Sequence, residues 1–211
     1  MRILYPPRPE TCIPPHQLSN YEGGEWLAQR KFNGTRNPIQ ITEDGQVNLF
    51  NRHGTTHKQF ELTPDIADQI LSLNLEKGLE YWLDSELLHR KTKNPAYKSR
   101  IVLYDVLCVG TYLFGKPDQE ARLAILDKIC GSPTKLEPNE GIALEITENV
   151  WMAQTWESQF VEHYEKFIHM DEIEGLVLRK RKSVIDSLGT SGNDVAKWIL
   201  RVRKPHKNYN F

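Results

Sequence analysis

The chain has 211 residues, an apolar fraction of 39%, a charged fraction of 26% and a formal net charge of -1, which allows one filled hydrophobic core and excludes reading a partner from net charge alone. No apolar run approaches the length of a membrane span and MRILYPPRPE lacks the apolar stretch of a signal peptide, so a cytoplasmic or otherwise intracellular protein with no membrane partner is expected. With 5 Trp, 8 Tyr and 7 Phe the chain is not disordered, and the widely spaced Cys12, Cys108 and Cys130 form no CxxC pair, which argues against a disulfide framework and a zinc knuckle.

Residues 1–22 carry Pro6, Pro7, Pro9, Pro14 and Pro15. These exclude a central strand or a long helix, so the segment reads as an N-terminal extension that wraps a surface rather than forming a layer, ahead of one domain over 23–211. EWLAQRKFNGTRN predicts a strand running into a turn. IQITEDGQVNLFNRHG alternates on both sides of Asp44-Gly45 and predicts a hairpin, with Arg52 at the end of its second strand. Thr63 and Pro64 predict the cap and first turn of a helix through Leu75. LEYWLDSELLHR and SRIVLYDVLCVG are strand candidates, with Cys108 as a buried small hydrophobe. KPDQEARLAILDKICG, apolar at Ala121, Ile125 and Ile129 and ended by Gly131, predicts an amphipathic helix. ENVWMAQTWESQFVEHYEKFIH is a second helix candidate, and EIEGLVLRKR and KWILRVRKP are strands. Strands outnumber helices and crossovers are too few for a doubly wound sheet, so the expected class is α+β, antiparallel sheets with flanking helices. Residues 179–211 hold nine cations (Arg179, Lys180, Arg181, Lys182, Lys197, Arg201, Arg203, Lys204, Lys207) against Asp186 and Asp194, which fits either a polyanion-binding face or a solvated basic tail.

KFNGTR sets Lys31, Asn33, Gly34 and Arg36 at fixed offsets. The stretch reads as an ordinary polar turn or as a nucleophile site: an amine attacks a carbonyl or phosphoryl centre once desolvation or nearby cations lower its pKa. Arg36 would serve that shift and an anionic substrate, and Gly34 would let the backbone approach a ligand or adopt a left-handed conformation. Arg36 and Arg52 on adjacent loops suit a phosphate or ribose. In LDSELL, Asp84 and Glu86 fall on one strand face with Leu83, Ser85 and Leu87 on the other, and carboxylates so placed must be paired or metal-bound. Tyr104 in YDVL is core or a flat platform for a base. Glu174-Gly175 opens a strand with an acid able to hold a divalent cation. Arg201 and Arg203 alternate on one face, two fixed charges suited to a phosphoryl group in flight.

The ordered set KFNGTR, NRHG, LDSEL, YDVL, EGLV and RVRKP, spanning residues 31–205, resembles the covalent nucleotidyltransferase superfamily: ATP-dependent DNA ligases, RNA ligases and mRNA capping enzymes. The resemblance implies a nucleotidyltransferase (ATP-grasp-like) domain in which Lys31 forms a phosphoramide with the α-phosphate of ATP, with Arg36, Arg201 and Arg203 as its catalytic partners. It implies a nucleotide pocket of Arg30, Lys31, Arg36, Arg52, Glu86, Tyr104, Glu174, Arg201 and Arg203, and Mg²⁺ held by Glu174, Asp84 and Glu86. YDVLCVG followed by ARLAILDKI is similar to the matching stretch of DNA ligases, so the implied activity is ATP-dependent sealing of 5'-phosphate/3'-hydroxyl breaks in nucleic acid, DNA first, through a lysyl-adenylate. An RNA ligase, a capping-type guanylyltransferase, and a binding module that kept the pocket but lost catalysis are the alternatives.

Three features depart from the family pattern. Arg201 and Arg203 stand where lysines are usual, which keeps the charge but gives up any proton donation, unless Lys204 acts in a shifted register. Asn33 replaces the more common Asp, as in some RNA ligases. The sequence ends six residues past Pro205, so no C-terminal OB domain is expected in this chain, and a separate protein or domain is expected to supply its function to a monomer.

Overall fold

The computed structural model describes residues 3–137, 140–185 and 195–205, so Asp186, Asp194 and Lys207 of the basic C-terminal run lie outside the described residues. Along them run the strands β1 (Arg8–Ile13), β2 (Trp26–Phe32), β3 (Thr35–Arg36), β4 (Ile39–Ile41), β5 (Val47–Leu49), β6 (Tyr81–Leu88), β7 (Arg100–Val109), β8 (Thr111–Tyr112), β9 (Leu144–Glu145), β10 (Val150–Met152), β11 (Thr155–Trp156), β12 (Ile173–Lys180) and β13 (Val195–Arg203). The helices are α1 (Pro64–Leu71), α2 (Gln119–Ile129) and α3 (Phe160–Phe167).

Two open sheets form. One has five strands in the order β1-β13-β12-β2-β11; the other has eight, ordered β5-β4-β6-β7-β10-β9 with β3 on β6 and β8 on β7. Most pairings are antiparallel, as the α+β reading expects, but β1 runs parallel to β13 and β10 parallel to β7. Because side chains alternate along a strand, each sheet presents one apolar and one mixed face. Leu83, Leu87, Ile101 and Leu103 of the large sheet pack under Ile66 and Ile70 of α1 and Leu126 and Ile129 of α2. Leu176, Leu178, Leu200 and Val202 of the small sheet pack under Leu18, Phe160 and Tyr164. The inner faces meet at Phe32, Leu88, Val102, Tyr104 and Ile173. Helices therefore cover the outside, and the polar residues of both sheets are left facing one cleft.

The hairpin at Asp44-Gly45 forms with Ile39 opposite Leu49 and Ile41 opposite Val47. Thr63 caps α1 by accepting from Ile66 N, but the helix ends at Leu71 rather than Leu75, because Asn74 N is drawn to Ile129 O at 2.9 Å. Cys108 is fully buried. Two expectations are corrected. The Pro-rich N-terminal segment does join a layer: β1 is the edge strand beside β13, a position that tolerates the missing donor of Pro9. The second helix candidate is a helix only from Phe160. Val150–Met152 instead joins β7 and β9, and Thr155–Trp156 joins β2; sheet partners outweigh helix periodicity in this β-favouring stretch, and Gln159 at φ 58° breaks the chain before α3.

Candidate active site

Lys31 lies on a strand, near the end of β2, and is half-buried. In the ladder it stands opposite Gly175 of β12, which in turn stands opposite Arg203 of β13. The register shifts between Ile173 and Gly175, so Glu174 is a bulge residue with no partner on β2. A bulge re-aims its side chain, and here the Glu174 carboxylate accepts from Lys31 Nζ and lies 3.6 Å from Arg203 Nε. Burial pushes the Glu174 carboxyl up, but the charges of Lys31 and then Arg203 outweigh it and hold the acid below its usual range. The neighbour of the lysine is thus a carboxylate, where the sequence put forward Arg36.

Arg36 is engaged on the facing sheet. Its Nε and Nη2 reach the two carboxylate oxygens of Asp84 at 2.6 and 2.5 Å. Asp84 is 1% exposed, and burial pushes its carboxyl up against the pull of Arg36. The structure therefore gives Asp84 an arginine partner, with one guanidinium nitrogen on each carboxylate oxygen. Breaking a buried pair from one side leaves a naked charge and costs roughly 3–5 kcal/mol. Arg36→Met is expected to lower the free energy of unfolding by about 3 kcal/mol, and Asp84→Asn in the same chain to recover most of it; urea unfolding of both variants checks this.

Glu86 shares the strand face with Asp84 and stands opposite Arg36 in the ladder. Burial pushes its carboxyl from the ordinary 4.5 up to about 7, against Lys31 and Arg36 and with help from Glu174 and Asp84. A carboxyl raised in the folded state favours folding below its unfolded pKa and loses that contribution as pH rises toward 7. Glu86→Gln is accordingly expected to flatten the fall in stability between pH 5 and 7, an effect on the order of 2 kcal/mol. Denaturant midpoints at pH 5, 6 and 7 decide it: equal slopes in wild type and variant would assign the pH dependence to other groups.

Tyr104 is nearly buried beside Phe32, ring centroids 6.1 Å apart, and burial followed by the charges of Glu86 and Asp84 holds its hydroxyl well above its usual pKa. Sequence reasoning missed what lies next to it. Arg179 is buried, donates to Gln29 Oε1, and places its guanidinium 5.9 Å from the Tyr104 ring centroid. Gln29 in turn donates to Tyr104 O at 3.2 Å and to Thr155 Oγ1 at 3.1 Å. The signal was alternation: Gly175, Val177 and Arg179 occupy every second position of EIEGLVLRKR, and so do Gln29 and Lys31 of β2.

The same alternation removes Arg30 from the pocket. It points to the far side of β2, where it is 1% exposed, stacked 3.6 Å over Phe167 and 4.8 Å over Trp156, and bonded to Ile142 O. Burial lowers its pKa to about 9. Arg52 is past the hairpin strand, exposed, with Nε on His53 Nε2 at 3.1 Å, and no contact among the described residues joins it to Lys31. Arg201 is two residues from Arg203 on the same face, opposite Val177. Lys204 is not in the register of the pair: its Nζ donates to Met170 O at 3.1 Å and Ile168 O at 3.4 Å.

Two motif residues have structural explanations. Asn33 Nδ2 donates to Asp171 O at 3.1 Å, a bond that an aspartate could not make. Gly34 does not turn left-handed; a Cβ there would come within 2.6 Å of Leu87 O and 2.7 Å of Glu86 Cγ, so the glycine lets the turn lie on β6.

Among the described residues no group of three or more His, Cys, Asp or Glu could hold a metal by itself. Mg²⁺ commonly takes one or two carboxylates with substrate phosphates and water, and Glu174 with Glu86, whose carboxyl it helps push up, fits that donor set. Asp84 does not.

No family model matches the chain, and no curated protein matches it. Solved structures do. The ligase domain of M. tuberculosis LigD matches with a TM-score of 0.58 at 13% identity over 95% of this chain and 59% of that one. A structure named Pmar-Lig_Pre matches with a TM-score of 0.61 at 16% identity over 96% of this chain and 47% of that one. A Lig E DNA ligase structure, described under DNA binding with a minimal scaffold, matches with a TM-score of 0.55 at 12% identity over 95% of this chain and 70% of that one. This chain thus spans about half to seven-tenths of those lengths, and at such identities the likeness is one of fold: the chain shares the fold of these ligase structures.

Proposed function

We propose that the chain is an ATP-dependent polynucleotide ligase, with DNA as its substrate, built on an ATP-grasp-like nucleotidyltransferase domain. The observation that carries this reading is the meeting of Lys31, Glu174 and Arg203 on one sheet with Glu86, the Arg36–Asp84 pair and Tyr104 on the other, within a ligase fold. A nucleophile, fixed cations, acids and a flat aromatic are what nucleotidyl transfer requires.

In the first step the Lys31 ammonium gives up a proton, the Glu174 carboxylate that already accepts from Nζ being the nearest acceptor. The amine lone pair then forms an N–P bond to the α-phosphorus as the P–O bond to pyrophosphate breaks. Arg203 supplies positive charge to the departing pyrophosphate, and Arg201 is in line to do the same. Tyr104, braced by Arg179 and Gln29, borders the base, and Arg36 fixes Asp84 below the pocket. Glu174 and Glu86 would hold Mg²⁺, which would neutralise phosphate charge. AMP next passes from Lys31 to a 5'-phosphate at a break, and the 3'-hydroxyl displaces it.

Incubation with α-labelled ATP or GTP and Mg²⁺, followed by denaturing electrophoresis and intact-mass measurement, tests the reading. A covalent AMP adduct, lost on adding nicked duplex with a 5'-phosphate, is expected. A GMP adduct would move the assignment to a capping-type enzyme, and no adduct at all to a binding module.

A further inference from the structure

The connection between β6 and β7 carries Arg90, Lys91, Lys93 and Lys98, all exposed, in a stretch, 89–100, without an Asp or Glu. The connection has a defined shape. Asn94 Oδ1 accepts from Ala96 N at 3.0 Å to start a turn at Pro95, and Tyr97 sets edge-on against Trp151 with centroids 5.9 Å apart. It also has a defined place. Asn94 N donates to the Glu172 carboxylate at 3.2 Å, and Lys93 pairs with Asp171 at 2.9 Å. The carbonyls of the same two residues accept from Asn33, its N at 2.7 Å and its Nδ2 at 3.1 Å. The basic loop therefore stands on the segment that positions both Asn33 and Glu174, at the mouth of the Lys31 cleft.

The basic C-terminal run is differently occupied. Arg181 is held by Glu120 and Glu157, Lys182 by Glu120 and Asp118, Arg179 by Gln29, and Lys204 by backbone carbonyls. Lys180 and Lys197 of the same run are exposed and make no ion pair among the described residues, but Lys180 stands opposite Trp26, at the far end of β2 from Lys31, and Lys197 lies beyond Ile199 at that same end of the sheet. Among the described residues neither Arg90 nor Lys98 makes an ion pair, and the exposed Lys93–Asp171 pair is of the kind that holds weakly and gives way to a better anion.

We propose that the β6–β7 connection, not the C-terminal basic run, is where the phosphate backbone of a nucleic-acid duplex docks beside Lys31. The proposal rests on the reading of Lys31 as the carrier of a nucleotide to a polynucleotide end. Its test uses binding alone, so that the two can fail separately. Full-length protein without ATP or Mg²⁺ is titrated by fluorescence anisotropy into nicked duplex DNA with a 5'-phosphate and, in parallel, a nicked RNA duplex of the same sequence, from 50 to 200 mM salt. The tighter arm names the backbone. Each phosphate contact contributes about 0.9 to the slope of log K against log salt. The triple variant Arg90→Gln, Lys93→Gln, Lys98→Gln is therefore expected to lose about 2.7 from the slope, so that its affinity falls roughly 40-fold less than that of wild type over this range. The control triple Lys180→Gln, Lys182→Gln, Lys197→Gln is expected to keep the wild-type slope. Equal changes in both triples, a change in the control alone, or no measurable binding by wild type would each overturn the proposal. If wild type forms no nucleotide adduct but the loop triple still loses its slope, the chemical reading falls and the docking surface stands.

Discussion

Lys31→Ala is expected to abolish the covalent nucleotide adduct while the protein stays folded. The lysine side chain is 20% exposed and its partner Glu174 23%, so the pair is partly buried, and losing one partner costs less than the roughly 3–5 kcal/mol of a fully buried pair. Glu174 keeps Arg203 at 3.6 Å when the lysine is gone, so the substitution does not strand a buried charge. Chemistry is another matter, since no other amine touches this carboxylate among the described residues and the N–P bond needs one. Lys31→Arg sharpens the result: it preserves the positive charge and the pair with Glu174, but a guanidinium stays protonated at any working pH. Both variants should show an unmodified intact mass after incubation with ATP and Mg²⁺, with thermal midpoints within about 3 °C of wild type. An AMP adduct on Lys31→Arg would place the nucleophile elsewhere and remove the central residue of the proposed site.

Much of this site was legible because strand alternation is a strict rule. The shared face of Asp84 and Glu86, the shared face of Arg201 and Arg203, and the hairpin at Asp44-Gly45 all follow from a period of two, and all are found. The rule also placed Arg30 and Lys31 on opposite faces, although the resemblance had put both in the pocket. What alternation cannot reveal is which sheet a strand joins. Nothing in EWLAQRKF and LDSELL says that Lys31 faces Glu86 across a cleft, or that Arg36 closes on Asp84 instead of assisting Lys31, because those contacts are made between segments about fifty residues apart. The two parallel pairings were hidden for the same reason. A Pro-rich opening looks unfit for a sheet until the neighbouring edge of β13 is in place, and Val150–Met152 reads as part of a helix until β7 offers it a ladder. Bulges are hidden too, and the one at Glu174 matters most.

Gly175→Ala is expected to damage both the fold and the chemistry. Gly175 has φ 147° and lies so close to β13 that a Cβ would fall 1.9 Å from Val202 O, 2.8 Å from Val202 C and 3.0 Å from Arg203 Cα. All three are backbone atoms, so no rotamer change relieves the clash and the two strands must separate. They belong to the ladder that carries Lys31, Gly175 and Arg203 in one row, and the same step in register frees Glu174 to bulge toward Lys31 while Lys204 N bonds its carbonyl at 2.9 Å. Forcing β12 away from β13 therefore costs ladder bonds, strains a backbone conformation suited to glycine, and withdraws Glu174 and Arg203 from the lysine together. A loss of about 3 kcal/mol or more is expected, which for a chain of this size lowers the thermal midpoint by roughly 6–12 °C. Adduct formation should fall at least a hundredfold even below the midpoint, as expected when groups aimed at transition-state charge are misplaced. Gly23→Ala is the matched control, since a Cβ there meets nothing within 4 Å. Melting curves and single-turnover labelling of both variants at a temperature where each is folded separate the two effects. A Gly175→Ala protein that melts within 2 °C of wild type and labels at the wild-type rate would show that the strands accommodate the methyl group, and that the bulge does not set the position of Glu174.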